Sequence, residues 1–203
     1  MLNVALTGNV AAGKSTVAAL FRRWGAWVTD ADAMVRDLQR PGTPVFQQIV
    51  ARFGPGVVAA DGTLDRPALR TRVFGDPVAL EQLNQIVHPA VHARREALET
   101  AARADGATVA VHDIPLLFEA ADPSSFDLVV LVDAPVAVRR ERLIRDRGLA
   151  PEVADRMIAS QWPSDRKRDA SDLVIDNDAD PQTLERRARE AWSMIAARAT
   201  GVA

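Results

Sequence analysis

The chain carries an eight-residue stretch at positions 8–15, Gly-Asn-Val-Ala-Ala-Gly-Lys-Ser, which matches the pattern G-x-x-x-x-G-K-[ST] at every fixed position and is followed by Thr16. Its two glycines permit backbone angles and a close approach that a Cβ would forbid, so consecutive N–H groups can turn inward onto phosphate oxygens. Lys14 brings a positive charge to the β and γ phosphates, and the Ser15 hydroxyl can ligate Mg²⁺. The stretch therefore predicts a phosphate-binding loop with nucleotide contacts from Gly8, Ala11, Ala12, Gly13, Lys14, Ser15 and Thr16.

The residues on either side of this loop agree with that interpretation. An apolar run at positions 2–6 is typical of a buried parallel strand, and apolar residues recur at helical spacing over positions 17–24. The chain contains only two lysines, Lys14 and Lys167, and one of them occupies the phosphate position of the pattern. A compact ammonium suits that position better than the planar guanidinium that the chain uses almost everywhere else.

Composition places the chain among ordinary globular proteins. It has 203 residues, 48% of them hydrophobic and 26% charged, enough for one domain with a substantial core. A net charge of −2 gives no overall basic field for nucleic acid, and the absence of cysteine excludes disulfides and thiolate chemistry. Without a long apolar run or a leader pattern, we expect a cytoplasmic monomer or weak homo-oligomer with no nucleic-acid or membrane partner.

Strand and helix patterns alternate along the chain, which predicts a parallel sheet covered by helices on both sides. The later strands are predicted at 26–29, 108–112, 128–132 and 173–175. Helices are predicted at 45–53, 67–74, 78–87, 90–103, 135–147, 151–161 and from 181 onward. We therefore predict a three-layer α/β/α fold with a parallel five-stranded sheet. It forms a single domain over 1–203, with a helical substrate-binding subdomain at about 33–105 and a lid at about 136–170.

Carboxylates follow two of the predicted strands, at the edge where open α/β sheets bind ligands. Asp30 and Asp32 end the second strand, where either can also cap the following helix. Beside a phosphate loop, catalysis gains over capping for one of the two. Asp113 ends the third strand and can support Mg²⁺ and its waters, with a turn aspartate before proline as the alternative.

Five arginines lie on the predicted helix after the fourth strand: Arg139, Arg140, Arg142, Arg145 and Arg147. Such a run is usually a solvated face, but phosphoryl transfer needs cations against the charge of the transferring group, so some are candidates for a closing lid. Spacing places Arg142 and Arg145 one turn apart on one face without selecting between them. The polar, basic stretch 164–171 is either a mobile flap or a simple loop.

Two further segments leave alternatives open. His88-Pro89 is predicted to separate two helices. With His92 it has the spacing of a metal-binding pair, but no third ligand is apparent nearby, which favours a hydrogen-bonding or capping role for His88. The apolar residues 116–118 are either core or the wall of a substrate pocket.

These motifs coincide in one order, and over nearly its whole length the chain resembles the dephospho-coenzyme A kinase family. The residues that carry the resemblance are Leu6-Thr7-Gly8 through Gly13-Lys14-Ser15-Thr16, Asp30-Ala31-Asp32, His88-Pro89, Pro115-Leu116-Leu117-Phe118-Glu119, Arg142 with Arg145, Arg156 through Gln161, and Asp172-Leu173-Val174-Ile175-Asp176-Asn177. The phosphate loop alone is shared with many nucleotide-binding families, and the other elements together are much narrower.

The resemblance implies an ATP-dependent kinase that uses Mg²⁺ and phosphorylates the ribose 3′-hydroxyl of dephospho-coenzyme A (dephospho-CoA). It implies Asp32 as the base, Asn177 near the adenine, and an arginine-bearing lid. The expected catalytic residues are Asp32, Lys14, Arg142 and Arg145, and the expected metal contacts are Ser15 and Asp113. The expected substrate contacts are Thr7, Asp32, His88, Leu116, Leu117, Phe118 and Glu119.

Two positions depart from the family pattern. Ala11-Ala12 stand where Gly-Ser is usual, so the backbone there must be compatible with a Cβ, and Arg139 stands where glutamine is common. Two other functions also fit a phosphate loop: another small-molecule kinase, of nucleoside monophosphate or shikimate type, and a nucleotide-dependent switch that signals through the helical insertion. No guanine-selecting Asn-Lys-x-Asp pattern occurs, which disfavours the switch.

Overall fold

A computed structural model of the chain describes residues 1–201. Within them, five strands form one parallel sheet in the order β2-β3-β1-β4-β5, which confirms the predicted sheet. The strands are β1 (Leu2–Gly8), β2 (Trp27–Asp30), β3 (Val109–Asp113), β4 (Leu128–Asp133) and β5 (Leu173–Asp176). Since β1 pairs with β3 on one side and β4 on the other, the loop after β1 lies where the chain crosses between the halves of the sheet. Open α/β sheets bind ligands at such a point.

Helices cover the sheet on both sides, and further helices form the insertion between β2 and β3. Those in the described residues are α1 (Lys14–Arg23), α2 (Ala31–Leu38), α3 (Pro44–Phe53), α4 (Arg66–Val73), α5 (Pro77–Ala104), α6 (Leu117–Ala120), α7 (Val136–Arg145), α8 (Pro151–Ala159), α9 (Ser164–Asp169) and α10 (Pro181–Ala199). None of them is both long enough and apolar enough to cross a membrane.

The side chains of β1 are buried on both faces of the sheet. Val4 and Leu6 pack in one apolar cluster with Phe21 of α1 and Ile195 of α10, whereas Ala5 packs in a separate cluster on the opposite face. Both faces of the strand are therefore covered, as expected of a parallel sheet between two helical layers. Full burial of an apolar side chain of this size contributes about 1.5–3 kcal/mol, so these layers hold β1 and the loop after it firmly in place.

Capping side chains set the start of several helices. Thr43, Asp65 and Asp180 each precede a helix and accept hydrogen bonds from backbone N–H groups of its first turn. A proline occupies the first turn in all three cases, where its missing N–H has no intrahelical partner to lose.

The chain divides into two compact units, one made of residues 1–30 with the chain from 102 onward, the other of residues 31–101. The first contains the sheet and the phosphate loop. The second is helical and has an apolar core of its own, which includes Ile49 and Phe53 of α3.

The predicted helix break at His88-Pro89 is wrong. Residues Pro77–Ala104 form a single helix of 28 residues with Pro89 inside it. A proline in a helix interior removes one backbone hydrogen bond and costs about 3 kcal/mol. Ile86 and Ala90, on either side of the proline, pack against the core of the helical unit, and this packing offsets the cost.

Of the two alternatives for 164–171, the simple loop is wrong over residues 164–169, and the mobile flap stays a prediction. Ser164–Asp169 form helix α9, and Lys167 within it is fully buried at 0% exposed. A basic run normally indicates a solvated surface. Here the polarity of the stretch concealed a buried, charged residue.

Candidate active site

The phosphate-binding loop connects β1 to α1, and its two glycines lie against other parts of the chain. A Cβ at Gly8 would lie 2.6 Å from the carbonyl oxygen of Val132 in β4. Gly13 has a φ of 96°, and a Cβ there would collide with the side-chain amide of Asn177. Helix α1 begins directly afterwards, at Lys14, so its unpaired N–H groups lie at the loop and favour an anion there.

Ala11 has the only positive φ among the non-glycine residues described, at 58°. A residue with a Cβ loses about 1–2 kcal/mol in this left-handed conformation. Of the two positions where the sequence requires the backbone to accept a Cβ, only Ala12 accepts it without strain. Ala12 is buried in the main core, whereas Ala11 carries strain.

Two side chains from distant parts of the chain bind the carbonyl groups of the loop. Arg142 donates to the carbonyl oxygen of Ala11 at 3.2 Å and to the backbone and side-chain oxygens of Asn177, each at 3.3 Å. Asn177 is 6% exposed, and its Nδ2 donates to the carbonyl oxygen of Ala12 at 2.8 Å. These contacts fix the second half of the loop.

The first half of the loop contacts the segment between α8 and α9. The side-chain oxygen Oε1 of Gln161 accepts a hydrogen bond from the N–H of Val10 at 2.7 Å. Asn9 Nδ2 donates to Ser164 Oγ at 3.0 Å, and that hydroxyl donates to Asp133 Oδ1 at 2.9 Å. Side chains from elsewhere in the chain therefore hold both halves of the loop.

Lys14 forms an ion pair with Asp113, and both side chains are 15% exposed. The register of β1 and β3 places Leu6 opposite Asp113, which brings the carboxyl end of β3 beside the loop. The ammonium is therefore held at the loop by a neighbouring strand. Because an ion pair in a partly buried site loses little to solvent screening, this contact orients Lys14.

Ser15 and Asp113 supply the kind of ligands that Mg²⁺ prefers. Ser15 is exposed in the first turn of α1, beside Lys14 and its partner Asp113. Mg²⁺ usually takes one or two protein oxygens, several waters and phosphate oxygens of the substrate. A hydroxyl and a carboxylate at a phosphate loop fit that donor set. No group of three or more His, Asp or Glu side chains suited to a metal occurs in residues 1–201.

Asp133, at the end of β4, interacts electrostatically with two arginines, Arg168 and Arg139. Arg168 donates to Asp133 at 3.1 Å and to Asp176 at 2.6 Å, and these two carboxylates raise the pKa of its guanidinium. Arg139 is buried, and burial lowers its pKa although Asp133 opposes the shift. Its Nε donates to the carbonyl oxygen of Ala134 at 3.0 Å, so this departure from the family pattern has a structural role.

Arg145 lies in a different environment from Arg142, one helical turn away. It is exposed and pairs with Glu141 at 2.8 Å and with Asp146 at 2.7 Å. Its hydrogen bond to Asp146 raises the pKa of the guanidinium. Of the two arginines that spacing nominated, the structure places Arg142 at the phosphate loop and Arg145 in solvent. The catalytic role of Arg145 stays a prediction.

The segment after β3 is mostly core. Thr7 is fully buried, and its hydroxyl donates a 3.5 Å hydrogen bond to the carbonyl oxygen of Pro115. Within this segment, Leu117 and Phe118 are buried, whereas Leu116 is exposed. Of the two alternatives for residues 116–118, core packing applies to the last two, and only Leu116 presents an apolar surface to solvent.

Glu119 joins this segment to the connection between α8 and α9. Its Oε1 accepts a hydrogen bond from the backbone N–H of Trp162 at 3.0 Å. The same oxygen lies 2.8 Å from Nζ of the buried Lys167, a contact with the distance of an ion pair but without the alignment of a hydrogen bond. The Trp162 ring stacks on Phe118 at 6.0 Å between centroids, and the Arg166 guanidinium lies 3.4 Å from that ring.

The helical unit carries the remaining predicted residues. Asp32 is exposed in the first turn of α2, and His88 is exposed on α5. A cavity of about 500 Å³ lies further along α2. Its charged lining consists of Arg36, Asp37, Arg40 and Arg66. Gln39, also in the lining and 8% exposed, accepts a hydrogen bond from Arg66 at 3.1 Å.

Fold and loop together define the class of protein. A glycine loop that follows the central strand of a parallel sheet and opens a helix, with a lysine held by a carboxylate of the neighbouring strand β3, defines a phosphate-loop nucleotide-binding protein. The dephospho-CoA kinase family matches residues 2–183 of the chain. A dephospho-CoA kinase from Streptomyces avermitilis is 45% identical over 199 residues, which cover 98% of this chain and 96% of that protein.

Solved structures agree with this comparison. A crystal structure from Thermus thermophilus is 34% identical, with a TM-score of 0.81 and 96% of each chain covered. A dephospho-CoA kinase from Campylobacter jejuni shares the fold at 20% identity, with a TM-score of 0.69 and 98% of each chain covered. The chain belongs to the dephospho-CoA kinase family. It is accordingly a transferase of coenzyme A biosynthesis that phosphorylates dephospho-CoA at the expense of ATP.

Sequence reasoning gave no role to Gln161, Ser164 or Lys167, which support the site. Lys167 had one signal, since it is the second of only two lysines in the chain. Gln161 lies in a motif that carried the family resemblance. Its hydrogen bond to Val10 joins residues 151 positions apart, and a contact at that separation has no local signature.

Proposed function

We propose that the phosphate loop holds the β and γ phosphates of ATP while Asp32 accepts the proton of the ribose 3′-hydroxyl of dephospho-CoA. The 3′-oxygen forms a bond to the γ-phosphorus, the bond from that phosphorus to the β–γ bridging oxygen breaks, and ADP leaves. The observation that carries the proposal is the loop itself, fastened by Arg142, Asn177 and Gln161 with Lys14 at the start of α1.

On the donor side, the backbone N–H groups of residues 11–16 and the Lys14 ammonium bind the phosphates. Asp113 holds Lys14 at the loop by an ion pair. When phosphate oxygens arrive, they compete with Asp113 for the ammonium, and the carboxylate becomes available to other cations. Ser15 and Asp113 are the residues that would hold Mg²⁺, which supplies charge neutralisation at the phosphates.

On the acceptor side, Asp32 is suited to general base catalysis by its position in the chain. It follows the last residue of β2 by two residues in the chain, and ligands of α/β proteins bind beyond the carboxyl ends of such strands. Its side chain is exposed, so an incoming hydroxyl can reach it. Such a group typically contributes about 10²–10⁴-fold to rate.

The arginine-lined cavity of the helical unit is the candidate site for the diphosphate of dephospho-CoA. Arg36 is four residues after Asp32 on α2, which places the two side chains about 6 Å apart along the helix axis. In the substrate, carbons C3′, C4′ and C5′ and the 5′-oxygen separate the 3′-hydroxyl from the first phosphorus. A base and a cation one helical turn apart suit that spacing, and three arginines outweigh the one carboxylate in the lining.

Arg142 and Arg145 are proposed to act on the nucleotide from α7, but in different ways. Arg142 fixes the loop carbonyl of Ala11 and so shapes the ATP site directly. Arg145 would have to leave Glu141 and Asp146 to reach a phosphate, as a lid residue does on closure. The expected monomer or weak homo-oligomer in the cytoplasm belongs to this proposal as well.

The experiment is a product analysis with a substrate panel. The chain is incubated with ATP, Mg²⁺ and either dephospho-CoA, its 3′-deoxy analogue, a nucleoside monophosphate or shikimate, and products are analysed by mass spectrometry and ³¹P NMR. We expect one added phosphate on the 3′-oxygen of dephospho-CoA and none on the 3′-deoxy analogue. Phosphorylation of the analogue would contradict the assigned acceptor, and turnover of shikimate or a monophosphate at a comparable rate would contradict the substrate.

A further inference from the structure

Gln161, between α8 and α9, and Ser164, at the start of α9, contact the phosphate loop through side chains that have no part in the chemistry above. We call these two residues and Lys167, which anchors α9 to Glu119, the phosphate-loop brace. We propose that Gln161 is a positioning residue for ATP. Its side-chain oxygen holds the N–H of Val10 and thereby keeps the strained Ala11 in the conformation that presents residues 11–16 to the phosphates. This inference rests on the proposed role of the loop as the ATP site.

The hydrogen bond from Val10 to Gln161 uses an N–H that lies outside the predicted phosphate contacts. At 2.7 Å it is short for an N–H···O bond, as expected where both groups are shielded from water. The loop also closes on itself, since the N–H of Ala12 donates to the carbonyl oxygen of Asn9 at 3.0 Å. Ser164 holds Asn9 from the same side as Gln161 holds Val10. The brace therefore takes up the N–H of Val10 and the side chain of Asn9 but no N–H group from Ala11 onward.

Strain at Ala11 explains why the loop needs a brace. Ala11 has a φ of 58°, which a residue with a Cβ rarely adopts. The peptide before Val10 is held by Gln161, and the peptide after Ala11 is held by Arg142 at 3.2 Å. The strained residue therefore lies between two fixed peptides. Backbone strain of this kind persists where the surroundings over-determine the conformation, and functional sites are where it collects.

The brace is itself anchored in the core of the unit. Lys167 is fully buried and lies 2.8 Å from Glu119, which also accepts the N–H of Trp162, the residue after Gln161. The Trp162 ring is held by Phe118, on which it stacks, and by Arg166. Gln161 therefore projects from a segment with fixed ends, so its side chain reaches Val10 with little conformational entropy left to lose. This preorganisation turns a single hydrogen bond into a constraint on the loop.

The test measures ATP affinity by titration calorimetry and steady-state kinetics in four proteins: the wild type, Gln161→Ala, Ala11→Gly and the double variant. Gln182→Ala, an exposed glutamine on α10 of the same unit, is the matched control. We expect Gln161→Ala to weaken ATP binding by about 2- to 10-fold, the net effect of one hydrogen bond, with the KM for dephospho-CoA unchanged. Because glycine adopts a positive φ without strain, we expect Gln161→Ala to weaken binding less in the Ala11→Gly background.

Two outcomes overturn the proposal. In the first, Gln161→Ala binds ATP as tightly as the wild type and Gln182→Ala, so the hydrogen bond does not position the loop. In the second, the loss has the same size in both backgrounds, which shows an effect that does not pass through Ala11. If the wild type itself fails to bind ATP, the proposed function fails instead, so the two failures are distinguishable.

Discussion

The phosphate-loop unit and the helical unit differ in whether their functional polar side chains are buried or exposed. In the first, Lys14, Lys167 and Asn177 are buried or nearly so, and each is bonded to another part of the same unit. In the second, Asp32, Arg36 and Arg40 are exposed, and the unit has an apolar core of its own. In our proposal the ATP site is therefore built from buried contacts, whereas the site for dephospho-CoA is built from exposed side chains. We therefore expect substitutions in the phosphate-loop unit to lower stability or ATP affinity, and substitutions in the helical unit to raise the KM for dephospho-CoA.

The largest expected effect is on the stability of the phosphate-loop unit. Lys167→Met leaves Glu119 partly buried without its cation, and removal of one partner of a buried pair typically costs about 3–5 kcal/mol. We expect chemical denaturation to show a loss of this size. The double variant Lys167→Met/Glu119→Leu should recover most of it, because two apolar side chains need no partner.

If the double variant were as unstable as the single one, the ion pair would not be what anchors the segment. The matched control is Arg145→Met, which removes a cation from exposed, solvent-screened pairs and should leave the denaturation midpoint close to that of the wild type.

A smaller effect separates the two arginines of α7. Arg142→Ala removes hydrogen bonds from a charged group to the loop, each worth about 1.5–3 kcal/mol, so we expect ATP affinity to fall by roughly 10- to 100-fold. Arg145→Ala should leave ATP affinity unchanged, and its predicted lid role would appear only as lower turnover. Equal losses of ATP affinity in both variants, measured by equilibrium titration, would show that the static contacts of α7 do not define the ATP site.

The smallest effect concerns the cavity of the helical unit. Arg36→Gln removes one charge from an exposed site, so we expect the KM for dephospho-CoA to rise by about 3- to 10-fold with ATP affinity and melting temperature unchanged. Arg70→Gln, an exposed arginine on α4 outside the cavity lining, is the matched control. If the Arg36→Gln variant had the wild-type KM for dephospho-CoA, the cavity would not be part of the acceptor site.

Local sequence patterns predicted much of the phosphate-loop unit. The loop, the five strands and the helix after the loop follow from glycine spacing and apolar runs that are set within a few residues. The pattern failed at Pro89 because the surrounding helix packs against a core that lies elsewhere in the sequence. It failed at Lys167 because the buried partner, Glu119, is 48 residues away.

The candidate site was predictable in its parts but not in its connections. Spacing placed Arg142 and Arg145 on one helix face, yet only tertiary packing decides which of them reaches the loop. The left-handed Ala11 has no sequence signal, since alanine does not favour that conformation. Gln161 becomes visible as a site residue only when Val10 is placed beside it.

The central claim is that ATP binds to a site formed within the phosphate-loop unit while Asp32, from the helical unit, takes the acceptor proton. The most direct measurement compares Asp32→Asn with the wild type by ATP titration and by rapid-quench assay of a single turnover with dephospho-CoA. We predict unchanged ATP affinity and a transfer rate lower by about 10²–10⁴-fold. Wild-type transfer in Asp32→Asn, or a loss of ATP affinity that accounts for the slower rate, would contradict the account.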